Sequence, residues 1–217
     1  MALKNVIFDL DGTLVDSLPG IEYGVDRALQ AAGFAPRTCE LRPLIGPPIR
    51  DILQHVTGET SPQALDRLEA AFRAAYDSEG WIKTVLQPEA KETLSWIMGS
   101  GGSVFVVTNK PHRPATSITE RLGLQATKMV SPDSATPPHG SKAAMIQQLM
   151  QSDGVQSGNS LVVGDTREDL EAAREVGMAV VIVANGYGDF NGPCRKIRAL
   201  GELKSVIADT GGFDDRS

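Results

Sequence analysis

Cysteine is nearly missing from this 217-residue chain: Cys39 and Cys194 lie far apart and show no Cys-x-x-Cys spacing. They read as free thiols, which implies a reducing compartment rather than a disulfide framework. Positive charge is also short, with 21 Lys and Arg against 27 Asp and Glu and a net charge of −6. Nucleic-acid and anionic-membrane surfaces need clustered Lys and Arg, so both are argued against. The run Arg195-Lys196-Ile197-Arg198 is too short to change this and reads as solvated surface. No stretch approaches the length of a membrane span, and no targeting segment precedes the first apolar run, so the expected location is cytoplasmic. His55, His112 and His139 are scattered without metal-ligand spacing. A Gly-x-Ser-x-Gly elbow and a Gly-x-x-x-x-Gly-Lys phosphate loop are both missing, which removes the main support for serine-hydrolase and P-loop chemistry.

Glycine is plentiful and aromatics are scarce, as in α/β proteins with many tight strand-to-helix turns. Val6-Ile7-Phe8 is a short apolar run of the kind that forms a buried strand, and it opens into Asp9-Leu10-Asp11-Gly12-Thr13. Ile21, Val25, Ala28, Leu29 and Ala32 then recur at helical spacing, with Gly33 as a stop. A short helix is expected between Arg37 and Leu44, another over Ile49 to Val56, and a third from Pro62, with Ser61 as N-cap, to about Gly80. Beyond Trp81 the texture alternates. Helices are expected near 89–98, 113–122, 141–150, 167–176 and 202–207, and strands near 104–107, 129–130, 161–163 and 179–184. Uniformly apolar strands between helices predict a doubly wound parallel sheet covered on both faces. The helical block interrupts that alternation, so the expected organisation is a core of residues 1–17 and 83–217 with an inserted helical cap at 18–82.

Ligands of such sheets sit outside the carboxyl ends of the strands. Asp9 and Asp11, Thr108 and Asn109, and Asp165 each follow an expected strand, so all should meet on one edge. On one strand Asp9 and Asp11 would point the same way, and two neighbouring carboxylates call for a cation; Mg²⁺, which also draws in phosphate, suits them.

The string Asp9-Leu10-Asp11-Gly12-Thr13-Leu14-Val15-Asp16-Ser17 resembles the first motif of the haloacid dehalogenase superfamily, most closely its phosphoglycolate phosphatase-like branch. Val107-Thr108-Asn109-Lys110-Pro111 is similar to the second motif, and Gly164-Asp165-Thr166-Arg167-Glu168-Asp169 to the fourth. The third motif, a lysine ahead of a helix, is matched by Lys142 in Gly140-Ser141-Lys142-Ala143, with Lys128 as the substitute nearby. The resemblance implies Asp9 as nucleophile, Asp11 as acid/base, Thr108 and Asn109 as phosphate contacts and Lys142 as charge balance. Mg²⁺ would be held by Asp9, the Asp11 backbone carbonyl and Asp165, with Asp169 binding a metal water or orienting the lysine. Lys110 is read either as a motif residue or as a solvated lysine. Arg50, in the cap segment Gly46-Pro47-Pro48-Ile49-Arg50, is either a contact for a substrate anion or a surface arginine.

The implied activity is hydrolysis of a small phosphorylated metabolite through an aspartyl-phosphate, with phosphoglycolate leading and nucleoside monophosphates or pyrophosphate as alternatives. Asp11 argues against dehalogenation, because a halide leaving group needs no proton. No lysine lies between Lys4 and Lys83, which closes a Schiff-base route from the cap. Gly12-Thr13 in place of Gly-Val leans away from a β-phosphoglucomutase-like transferase, and a non-enzymatic phospho-receiver would lack both Asp11 and the insert. Oligomeric state is not legible.

Overall fold

The first strand, β1 (Asn5–Phe8), lies at the middle of a parallel sheet, and its side chains show why. Ile7 enters one apolar layer while Val6 and Phe8 enter the opposite one. Alternation along a strand sends successive residues to opposite faces, so an unbroken apolar run is stable only when both faces are covered. The computed structural model describes residues 2–188 and 192–213.

After β1 come a two-residue strand β2 (Val15–Asp16), then α1 (Leu18–Ala32), α2 (Ile49–Thr57) and α3 (Pro62–Ala75). A short 3₁₀ turn over Arg42–Leu44 stands where a helix was expected from Arg37, because Pro43, inside that segment, has no amide N–H to continue an α-helix. The second half runs β3 (Val85–Leu86), α4 (Ala90–Gly99), β4 (Ser103–Val107), α5 (His112–Leu122), β5 (Lys128–Val130), α6 (Lys142–Ser152), β6 (Ser160–Gly164), α7 (Arg167–Glu175), β7 (Ala179–Val183), β8 (Arg195–Ile197) and α8 (Leu203–Asp209). Sheet order is β5-β4-β1-β6-β7-β8, all parallel, and Ile7 is in register with both Phe105 and Val162. The doubly wound expectation therefore holds. Chain direction across the sheet reverses at β1, which puts the switch point beside its carboxyl end.

Helices α6 and α7 cover one face through Met145, Ile146, Leu149 and Ala173, while α4, α5 and α8 cover the other through Leu94, Ile97, Ile118 and Leu203. The expected alternation of helix and strand is found with ends shifted by a residue or two. Arg195 and Lys196, read as solvated surface, belong to an edge strand; both are exposed, and Ile197 anchors it in the core. The loose end expected after Asp209 falls partly on residues 214–217, outside the described residues.

Helices α1 to α3 form an apolar cluster of their own, built from Ile21, Val25, Leu53, Leu68 and Phe72. Gly24 lets α1 and α3 approach: a Cβ there would stand 2.6 Å from Phe72 Cε2. A helical glycine costs about 1 kcal/mol relative to alanine, so close packing is the reason to keep one. The two chain crossings between this cluster and the sheet are tied together, because β2 and β3 pair antiparallel, Val15 with Leu86 and Asp16 with Val85.

Candidate active site

The sheet ladder extends one residue past β1, the Asp9 amide donating to the Val163 carbonyl at 2.9 Å, and then the chain turns. Leu14 and Val15 amides both return to the Leu10 carbonyl, and Gly12 sits at φ +88°. A Cβ at Gly12 would lie 2.2 Å from Asp165 Oδ2, so this turn needs glycine for its backbone and for the neighbouring carboxylate. Asp9 and Asp11 thus leave a tight turn rather than a continuous strand, yet both line the same cavity.

Lys142 opens α6, whose N-cap Ser141 accepts from the Ala144 amide, and its ammonium is buried between Asp9 Oδ1 at 2.8 Å and Asp169 Oδ1 at 2.7 Å. Burial alone would lower its pKa, but Asp169 and Asp9 outweigh that and hold it above the ordinary lysine value. Lys128, the substitute, pairs with Asp153 instead. Asp169 is fully engaged: Oδ2 accepts from the Asp165 amide at 3.2 Å, the Thr166 amide at 3.0 Å and the Thr166 hydroxyl at 2.8 Å. It is a helix-capping acid and a clamp on Lys142 at once.

Asp165, at the end of β6, is fully buried; it accepts from the Thr13 hydroxyl at 3.2 Å and the Tyr187 amide at 2.6 Å. Burial and the nearby Asp169 push its pKa up to about 6, against the opposing pull of the Tyr187 amide and Lys142. Burial likewise raises Asp9 well above the carboxylate range, with Asp169 and Asp165 adding to it and Lys142 opposing. Carboxylate oxygens of Asp9, Asp165 and Asp169 lie within 4.8 Å of one another. Three buried acids facing one ammonium leave this end of the cavity short of positive charge. A hard divalent cation that takes oxygen ligands fits that donor set. With Asp169 committed to Lys142 and to the amides of Asp165 and Thr166, Asp9 and Asp165 are the carboxylates placed to hold it.

Thr108, at the end of β4, is buried, and its hydroxyl oxygen accepts from the Lys110 amide at 3.1 Å, leaving its proton to donate. The Asn109 amide group donates to the Gly46 carbonyl at 3.0 Å and to Glu168 Oε2 at 2.7 Å, so its NH₂ fastens the α1–α2 connection to α7. Lys110 is buried, meeting Asp11 Oδ2 at 3.0 Å and donating to the Tyr76 hydroxyl at 3.0 Å. Asp11 Oδ1 is buried without a partner. A buried acceptor left unpaired costs about 1–3 kcal/mol, which is tolerable where a ligand or a transferable proton completes it. Arg50 stands apart from this group: it pairs with Asp66 at 2.7 Å and Glu69 at 3.2 Å and is absent from the cavity lining.

Thr13, Tyr76 and Tyr187 were given no site role by sequence reasoning. Tyr187 lies between the sheet edge and α1: its hydroxyl donates to Asp16 Oδ1 at 2.7 Å and accepts from the amides of Ser17 at 2.7 Å and Leu18 at 3.0 Å. Those amides are donors that a helix start leaves open, so one side chain caps α1 from 169 residues away in the chain. Arg42 covers its ring and binds the carbonyls of Asn185 and Gly186. Thr13 carried a signal, being part of the Asp-x-Asp-Gly-Thr string.

Among the described residues no helix is long and apolar enough to cross a membrane. A family model described as haloacid dehalogenase-like hydrolase matches residues 6–183. The chain is 32% identical over 193 residues to a phosphoglycolate phosphatase of Pseudomonas savastanoi pv. phaseolicola, covering 85% of this chain and 70% of that one. It is 29% identical over 220 residues to a phosphoglycolate phosphatase of Vibrio parahaemolyticus, covering 95% and 96%. Among solved structures, a predicted phosphoglycolate phosphatase from Haemophilus somnus superposes with a TM-score of 0.83 at 26% identity, covering 94% of this chain and 97% of that one.

Proposed function

The chain belongs to the haloacid dehalogenase-like hydrolases, and from that premise we propose that it is a Mg²⁺-dependent phosphatase acting on a small phosphorylated metabolite through an aspartyl-phosphate on Asp9. The observation that carries this reading is the Lys142 ammonium clamped between Asp9 and Asp169 at 2.8 and 2.7 Å. It fixes one Asp9 oxygen, and no hydrogen bond among the described residues reaches the other. That is the arrangement of an oriented carboxylate nucleophile beside a positive charge.

Asp9 attacks phosphorus in line while Asp11 passes a proton to the departing alkoxide; Asp11 then takes a proton from the water that hydrolyses the acyl phosphate. Thr108 and Lys142 donate to the non-bridging oxygens, and Lys110 keeps the Asp11 carboxyl aimed. Mg²⁺, held by Asp9, Asp165 and the Asp11 backbone carbonyl, would neutralise the charge of the phosphoryl group. Residues 18–82 serve as a cap that shields the reaction from water, over a core of residues 1–17 and 83–217. Phosphoglycolate is the substrate that the names of the relatives nominate, and it is the first to assay. The free thiols of Cys39 and Cys194 fit a reducing compartment, so the cytoplasm is part of the same proposal.

The test is turnover of p-nitrophenyl phosphate with and without Mg²⁺ by the wild type and Asp9→Asn. Metal-dependent turnover abolished by the substitution supports the reading, and wild-type kcat in Asp9→Asn refutes it.

A further inference from the structure

Beyond the phosphate end, the cavity of about 360 Å³ continues between the inserted helices and the core loops. That is within the range of pockets that enclose drug-sized ligands and more than a two-carbon acid phosphate fills. Its walls are mostly apolar. Ile21, Ile45, Ile49, Ile52 and Phe72 line it from the inserted helices, and Pro111, Pro114 and Pro132 face them from the core.

A substrate carboxylate in this space would need a cation or a free donor. Among the described residues three cationic side chains line the cavity, and each is engaged: Lys142 by Asp9 and Asp169, Lys110 by Asp11, and Arg73 by Glu69 at 2.6 Å. The Asn109 NH₂ is bound to Gly46 and Glu168. Arg50, which the sequence offered for this task, is not part of the lining and is paired with Asp66 and with Glu69. The remaining charged residues of the lining, Glu69, Asp77 and Asp133, are acidic. A second negative charge on the substrate therefore loses hydration and gains no free cation; the open donor is the neutral Tyr76 hydroxyl, which accepts from Lys110 and keeps its proton.

On the phosphatase reading above, we infer that the preferred substrates are phosphate monoesters with an uncharged, largely apolar leaving group, and that esters carrying a carboxylate on that group are poor substrates. The apolar wall gains by removing hydrocarbon from water, while the phosphate is held by the groups around Asp9.

The test compares kcat/KM for phosphoglycolate, its carboxamide phosphoglycolamide, and n-butyl phosphate, all with Mg²⁺ at pH 7.5. The first two have leaving alcohols of similar acidity, so charge is the variable. The carboxamide and the butyl ester are expected to exceed phosphoglycolate by about tenfold or more. Equal or better turnover of phosphoglycolate would overturn the inference while leaving the phosphatase reading intact. Turnover of none of the three, nor of phenyl phosphate, would overturn both. In Ile49→Arg, half-buried at the first turn of α2, the carboxamide-to-phosphoglycolate ratio should fall by about tenfold. An unchanged ratio in a variant whose melting curve shows it folded would remove Ile49 from the wall that meets the leaving group.

Discussion

Replacing Asp165 by Asn should stabilise the metal-free protein while removing its response to Mg²⁺. With divalent cations chelated, burial and Asp169 hold the Asp165 carboxyl at about 6 rather than 3.8. A carboxyl raised on folding contributes stability that is fully present below its unfolded pKa and lost as pH rises through its folded one. The loss therefore spans roughly pH 4 to 6 and is complete at pH 7.5, where the gap corresponds to about 3 kcal/mol. Asn removes the charge and keeps both hydrogen bonds: its carbonyl accepts the Tyr187 amide, and the Thr13 hydroxyl rotates to accept from its NH₂. Weaker bonding by a neutral amide offsets about 1 kcal/mol of the gain. A net 2 kcal/mol or so corresponds to an increase of about 4–8 °C in Tm for a chain of this size. Thermal melts in EDTA at pH 5 and pH 7.5, repeated with excess Mg²⁺, measure it. Wild type should melt higher at pH 5 than at pH 7.5 in EDTA and rise with Mg²⁺, whereas Asp165→Asn should melt higher than wild type in EDTA at pH 7.5 and ignore the metal. A lower Tm for the variant in EDTA at pH 7.5 would refute the charge argument.

Lys142→Met leaves Asp9 and Asp169 buried without their counter-ion, so urea unfolding should show a loss of about 3–5 kcal/mol and steady-state assays should show no measurable turnover. Lys110→Met frees Asp11 from its anchor, and kcat should drop by about a hundredfold in stopped-time phosphate release, through misplacement of the proton donor. Tyr187→Phe deletes the hydroxyl that caps α1 and binds Asp16; denaturant titration should show a loss of about 1–2 kcal/mol. Gly24→Ala drives a methyl into Phe72, and the overpacking, about 1–3 kcal/mol, should outweigh the gain in helix propensity in the same titration.

The parts legible in the sequence are those set by local pattern. Apolar runs gave the central strands because a strand covered on both faces has no polar positions to confuse the reading, and the polar residues closing β1, β4 and β6 fell on one edge because parallel strands end together. What escaped depends on distant partners. Strands β2 and β3 are two residues each and exist only because they pair with each other across the segment that carries α1 to α3. At the sheet edge, Arg195 and Lys196 are exposed, so nothing but Ile197 hinted that β8 was a strand. Tyr187 acts through groups far away in the chain, and no local motif marks a tyrosine that caps a remote helix. The charge partners of Arg50 on α3 were likewise invisible, since proximity of α2 and α3 is a product of their packing.

The proposed mechanism stands on Asp9 as the residue that carries the phosphoryl group. Quenching a Mg²⁺-supported reaction in the steady state, reducing with borohydride and sequencing the peptides by mass spectrometry tests this directly, because an acyl phosphate is reduced to an alcohol where a free carboxylate is not. Homoserine at position 9, formed only when substrate is present, is the predicted result; reduction at position 11 or 165 with position 9 intact would contradict it.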